Sequence, residues 1–301
     1  MSETLHSNIF DVALVLEGGQ MRVSYTAPLI VKLIQEQLWF DYVCGTSAGS
    51  SHAVNYLSRD AERARKSFVE FCGDPKIGGW LGYFKGKARF DAEYVYEHTA
   101  GPNDAWPFDF ATFRANPAQM RLATFDVAAG KEVWWTKDDC PTLADLMVRV
   151  RSSSAMPILM KPTFIDNRMY YDGGCGPNAG IPLPQAQRDD YRKFLIVLSQ
   201  PRGFKKDSDG PDLAFKLWLR RHPHVVHGLL SRTERYDRIR AEIAELEASA
   251  DAYVFYSDAI PYPSATQNVA QLAANYEAGT AQLEQEWPRL LEWLSPHIRG
   301  D

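Results

Sequence analysis

The chain has 301 residues, 45% of them hydrophobic and 24% charged, with a formal net charge of −5. That is enough apolar chain for one large core or two small ones, and the acidic balance excludes a dedicated nucleic-acid binder, which would carry a basic excess along one face. No stretch approaches the roughly 18 apolar residues of a membrane span, and the N-terminus lacks a basic segment followed by an apolar run, so the expected location is the cytoplasm.

The first element is the apolar run from Asp11 to Leu16, which ends in Glu17-Gly18-Gly19, the pattern of a buried parallel strand entering a glycine turn. In Glu17-Gly18-Gly19-Gln20-Met21-Arg22 the backbone N–H groups can converge on an anion where the next helix starts. Gly18 and Gly19 let the backbone come close, and Arg22 adds positive charge or orders the turn. A simple tight turn is the alternative, while the Gly-x-Gly-x-x-Gly spacing of a dinucleotide site is absent. Leu29, Ile30, Leu33 and Ile34 then recur at helical spacing, with Thr26 as a candidate cap and Pro28 in the first turn.

A second strand, Asp41 to Cys44, leads into Gly45-Thr46-Ser47-Ala48-Gly49 and a helix from Ser50 to Leu57. A serine in a sharp strand-to-helix turn exposes its hydroxyl, small neighbours let the backbone fold tightly, and the helix dipole favours a developing negative charge. Ser47 is therefore the leading candidate nucleophile, with an ordinary turn as the alternative. His52 lies about one and a half turns further along and should face another side of that helix, as a core or supporting residue. The alternation of strand and helix implies βαβ units and a sheet covered on both faces.

From 60 to 115 the pattern weakens into an irregular cap rich in aromatics, including Trp80, Tyr83, Phe84, Trp106, Phe108, Phe110 and Phe113, which either receive an acyl chain or close the core. Met120 to Val127 and Glu132 to Thr136 read as a hairpin, Leu143 to Ser154 as a helix ended by Pro157, and Thr163 to Tyr171 as two short strands about an Asp-Asn turn. Asp172, before Gly173 and Gly174, presents a carboxylate at a strand end with little cover and is a candidate base; a plain Asp-Gly-Gly turn is the rival reading. Phe194 to Leu198 is another buried strand.

Helices are expected near 212 to 220, 231 to 249, 266 to 279 and 281 to 295, with a strand from Ala252 to Tyr256. Residues 201 to 240 hold ten Lys or Arg against five Asp or Glu, which would suit an anionic membrane surface or, equally, solvated helices. Cys44, Cys72, Cys140 and Cys175 are scattered as reduced thiols would be. His222, His224 and His227, interrupted by Pro223 and without an acidic companion, do not make a metal set.

In this order, Gly18-Gly19, Gly45-Thr46-Ser47-Ala48-Gly49 and Asp172-Gly173-Gly174 resemble the patatin-like phospholipase family, in particular a bacterial subgroup. Ser152 to Pro157 and Ile181-Pro182-Leu183 are similar to its connectors around the aspartate. The resemblance implies a three-layer α/β/α sandwich with a mostly parallel central sheet. Residues 11 to 205 would form the hydrolytic domain and 206 to 301 a mainly helical extension packed on it. It also implies a Ser47-Asp172 dyad without histidine, an oxyanion loop at Gly18, Gly19 and Gln20, lipid or other ester substrates, transient membrane contact and no metal or organic cofactor. Two residues depart from the family's Gly-Gly-Gly-x-Arg/Lys-Gly run: Gln20 stands for the third glycine and Val23 for the last. Gln keeps its N–H, but a required positive φ would now be penalised. The competing readings are a catalytically silent lipid-binding or regulatory protein of the same fold, and an α/β-hydrolase with a Ser-His-Asp triad. The latter is disfavoured because only one strand precedes the elbow strand and His297 is poorly placed. Acyl length, headgroup and oligomeric state are not written in these motifs.

Overall fold

Strand β1 (Val12–Leu16) is buried along its whole length, and the strand period splits its side chains between two cores. Val12, Leu14 and Leu16 enter one cluster, Ala13 and Val15 the other, so layers of helix cover the sheet on both faces. In this computed structural model, which describes residues 4–78, 91–206, 212–258, 260, 262 and 266–299, α1 (Ala27–Gln35), α2 (Ala48–Leu57) and α3 (Ala61–Val69) contribute to the first layer. The sheet continues with β2 (Tyr42–Thr46), parallel to β1. Among its described residues the aromatic stretch carries two short helices, α4 (Ala92–Glu97) and α5 (Phe110–Ala115). Phe108 and Phe113 close the core beneath it, whereas Trp80, Tyr83 and Phe84 lie outside the described residues.

Strand β3 (Gln119–Asp126) is long enough to take two partners end to end on one edge. Its first half pairs with β2 in parallel, Thr46 opposite Ala123. On its other edge runs β4 (Lys131–Trp135), the second arm of the hairpin. After α6 (Leu143–Ser154), capped by Thr142 and Asp145 in a reciprocal capping box, come β5 (Thr163–Ile165) and β6 (Arg168–Asp172). Asp166 and Asn167 turn between them with φ of 49° and 59°, a left-handed pair that Asp and Asn tolerate. β6 then pairs antiparallel with the second half of β3, Asp172 opposite Thr124.

The second face is closed by α7 (Leu183–Arg188), and β7 (Lys193–Val197) pairs parallel with β1. Three helices follow, α8 (Asp212–Trp218), α9 (Pro223–Leu230) and α10 (Arg232–Ala248), before β8 (Ala252–Phe255) pairs parallel with β7. The path across the sheet is β5-β6-β3-β2-β1-β7-β8, with β4 beside β3.

Three local expectations need correction. Residues 266 to 295 form not two helices but one, α11 (Val269–Leu294), because Gly279 is no terminator: a Cβ there would lie 1.9 Å from the Tyr25 carbonyl oxygen, so the glycine serves close approach of α11 to the chain before α1. Thr26 does not cap α1 through its side chain; its hydroxyl donates to the Val23 carbonyl. Pro223 starts α9 rather than interrupting a helix, as its missing N–H allows. Among the described residues no helix is long and apolar enough to cross a membrane.

Candidate active site

Ser47 occupies the turn between β2 and α2 with φ 55° and ψ −126°, a strained conformation for a residue with a side chain. The packing on either side explains why the chain accepts it. A Cβ on Gly45 would lie 2.4 Å from the Gly49 carbonyl oxygen, and one on Gly49 would lie 2.2 Å from the Leu16 carbonyl oxygen at the end of β1. The two glycines thus draw the first turn of α2 down onto the sheet, with Thr46 buried beneath and Ala48 opening the helix. The Ser47 N–H donates to the Ser153 hydroxyl at 2.9 Å, and Ser153 in turn bonds Ser50 at 2.7 Å. Ser153 is a positioning residue; the sequence places it in the connector Ser152 to Pro157 without a role of its own.

The register along β3 brings the carboxylate to the same place. Thr46 and Asp172 sit opposite adjacent residues of one edge, Ala123 and Thr124, and the two strands approach each other end to end. Asp172 is 6% exposed; its Oδ1 accepts the Gly174 N–H at 2.7 Å, and its own N–H donates to Ala155 at 2.9 Å. Gly173 lies against the backbone of Ala123, where a Cβ would meet the carbonyl oxygen at 2.6 Å, so β6 can end this close to β3 only with glycine next.

The glycine turn after β1 faces the serine. A Cβ on Gly18 would lie 2.8 Å from that of Ser47. The Gly18 N–H donates to the Gly180 carbonyl at 3.0 Å. No acceptor among the described residues takes the Gly19 N–H, and that of Gln20 opens a 3-10 turn, where the first amides lack internal partners. Glu17, missed in the sequence, anchors the turn: its buried carboxylate accepts the Ser199 N–H after β7 and the Tyr236 hydroxyl at 2.7 Å on α10.

Gln20 has φ 53°, in the left-handed region that glycine would occupy freely. Its amide reaches the Met156 sulfur at 3.0 Å. Exchanging Gln20 for Gly removes a penalty of about 1 kcal/mol but loosens the unfolded chain by a similar amount, so stability should move by less than about 1 kcal/mol. Gln20→Val, with a β-branched side chain at positive φ, should lose roughly 1–2 kcal/mol more than Gln20→Gly. Urea denaturation of both variants tests this; equal midpoints would refute the strain assigned to this turn.

Ser47 stands in the wall of two cavities. One, about 130 Å³, is mainly apolar and lies between α2, α3, α4 and α6, with Val54, Phe68, Val95, Trp106 and Val150 in its wall. The other, about 560 Å³, opens beside Asp172, Gly18, Gly19, Gln20, Arg22 and Gly174 and is more polar, with Lys206 and Arg232 in its wall. The sequence-predicted nucleophile, base and loop therefore line one space. His52 does not join them: it is buried behind α2, with Nε2 3.2 Å from the Val23 carbonyl and from the Thr26 hydroxyl, and burial lowers its pKa to about 3. Cys44, Cys140 and Cys175 are buried thiols outside any disulfide and Cys72 is half-buried, and no His/Cys/Asp/Glu group among the described residues could hold a metal ion.

Residues 14–187 match the family model of the patatin-like phospholipases, and residues 222–295 match a domain of unknown function, DUF6363. No curated protein sequence matches the chain. Among solved structures, VipD from Legionella pneumophila is similar in fold, with a TM-score of 0.53 over 97% of this chain and 67% of its own, at 11% identity.

Proposed function

The chain belongs to the patatin-like phospholipase family, and from that premise we propose that it is a serine acyl hydrolase that cleaves carboxylic esters of lipids through Ser47 and Asp172. The observation that carries the reading is the meeting of β2 and β6 on one edge of β3, which ends both strands at one cavity wall with the Gly19-Gln20 turn beside them. Asp172 takes the Ser47 proton as Oγ attacks the ester carbonyl, and the Gly19 and Gln20 N–H groups receive the oxyanion. The alcohol leaves with the proton from Asp172. Water then gives a proton to the same carboxylate and its hydroxide to the acyl carbon; the acid leaves as Asp172 returns that proton to Ser47 Oγ. No step calls for a metal or organic cofactor. A carboxylate is a weak base for a serine, so orientation has to supply what basicity does not, and the bond from Gly174 to Asp172 serves that purpose.

The apolar cavity suits the acyl chain and the polar one the alcohol or headgroup. Within this reading residues 11 to 205 form the hydrolytic unit and 206 to 301 the extension packed on it. Leu217 and Trp218, 59% and 66% exposed on α8, stand near Lys216, Arg220 and Arg221 and suit transient contact with an anionic membrane surface; flotation with anionic vesicles tests that contact. One observation favours a silent lipid-binding protein instead, the strained Gln20 in the loop that must hold the oxyanion. The purified protein should hydrolyse a p-nitrophenyl ester and be labelled by a fluorophosphonate at Ser47. Fatty-acid binding without turnover or labelling would select the silent reading.

A further inference from the structure

The apolar cavity runs along one face of α2. Ser47, Ala48, Ser51, Val54 and Asn55 all line it, the spacing of a single helical stripe, so its length from Ser47 to Asn55 is about 12 Å. On the facing wall, Ser154 and Met147 of α6 mark a parallel path of about 10 Å. The wall away from Ser47 is not apolar. Arg63 of α3 lies there, its Nη1 donating to Asn55 Oδ1 at 2.9 Å and to the Ser67 hydroxyl at 3.1 Å, while Asn55 Nδ2 also donates to Ser67 at 3.1 Å. No other acceptor among the described residues takes a bond from this guanidinium, and its Nε is buried without a partner. Nor does any carboxylate among the described residues form an ion pair with it: Asp60, the nearest acid in sequence, caps α3 through the Arg63 N–H. The Phe108 ring lies 5.2 Å from the guanidinium carbon.

Arg63 is half-buried, and a cation drawn this far from water is ordinarily paired, because leaving it uncompensated is costly. Burial lowers the pKa of Arg63 to about 10, so the group remains charged at neutral pH. A molecule that enters from Ser47 and follows α2 therefore meets, after an apolar passage, a cation whose Nη1 is held by Asn55 and Ser67 and whose Nη2 keeps N–H donors for a carboxylate.

We propose that this cavity receives an acyl group whose far end carries a carboxylate, bound by Arg63 with Asn55 and Ser67 holding the guanidinium in place. The proposal rests on the hydrolase reading of Ser47, and it makes Arg63 a specificity-determining residue. A 12 Å passage corresponds to an acyl chain of roughly ten carbons. A methyl-ended chain of that length would cover the cation without satisfying it.

The test compares three p-nitrophenyl esters of one length: decanoate, 10-hydroxydecanoate and the monoester of decanedioate. Wild-type kcat/KM should be at least tenfold higher for the decanedioate monoester than for decanoate, with the hydroxy acid between them. Arg63→Met should reverse the order, and Arg63→Lys should keep part of the preference. Equal or better turnover of decanoate by the wild type overturns the proposal and leaves the hydrolase reading intact; this arm decides even if the Arg63 variants do not fold. If the wild type turns over none of the esters, the hydrolase reading has failed. Calorimetric titration with decanedioate and with decanoate then decides about the cavity: tighter decanedioate supports it, equal or weaker decanedioate overturns it.

Discussion

Ser47→Ala is expected to lower kcat/KM for a p-nitrophenyl ester by about 10⁴-fold or more, at little cost in stability. The loss is large because the hydroxyl forms the covalent bond; without it only the oxyanion turn and substrate binding remain to assist direct attack by water. The fold should be indifferent to the change. Alanine has the same Cβ at the same strained φ and ψ, the backbone N–H at this position still reaches Ser153, and the side-chain oxygen that disappears leaves no hydrogen-bond partner behind among the described residues. A shift in unfolding free energy beyond about 0.5 kcal/mol is therefore not expected, as for other substitutions that break no packing or network. Ester hydrolysis that persists in Ser47→Ala at the wild-type rate would remove Ser47 from the mechanism.

The contrast between what the sequence tells and what it withholds follows the distance over which each feature is decided. Features set by a few neighbouring residues are readable. β1 shows as an apolar run because both its faces are covered, α6 is bounded by Thr142 and Pro157, and Asp166-Asn167 turns because those two residues tolerate positive φ. Gln20 belongs with them: a non-glycine residue in a glycine position raises the question of φ, and φ is 53°. Features decided by residues far apart in the chain are not readable. The Gly279 close approach depends on Tyr25, more than 250 residues away, so the glycine reads as a helix stop when it is a contact. The bond that the Gly18 N–H makes depends on the Gly180 carbonyl. The two partners of β3 on one edge are the largest omission, since nothing local in β6 says that it will extend the edge β2 has left. The cavity is hidden for the same reason: Asn55, Arg63 and Ser67 read as ordinary polar positions on helices and become one cluster only when α2 packs on α3.

Asp172→Asn provides the sharper test of the dyad, because asparagine preserves the shape of the group while removing its ability to take a proton. The amide oxygen can still accept the Gly174 N–H, and the backbone bond to Ala155 is unaffected, so the end of β6 should hold its position. What is lost is proton transfer from Ser47, for which a fall in kcat of about 10²–10⁴-fold is expected with a smaller change in KM. The two single substitutions should not add. If both residues act in one step, Ser47→Ala with Asp172→Asn should be scarcely slower than Ser47→Ala alone, because a base has nothing left to do once the hydroxyl is gone. Independent contributions would instead multiply the two losses and would mean that Asp172 assists through the general field of the cavity. Fluorophosphonate labelling separates a further possibility: a purely structural Asp172 would leave the Ser47 labelling rate in Asp172→Asn close to wild type, whereas a proton acceptor should slow labelling along with turnover. The dyad stands only if the double variant is non-additive and the labelling slows; either result in the other direction assigns the proton to another group.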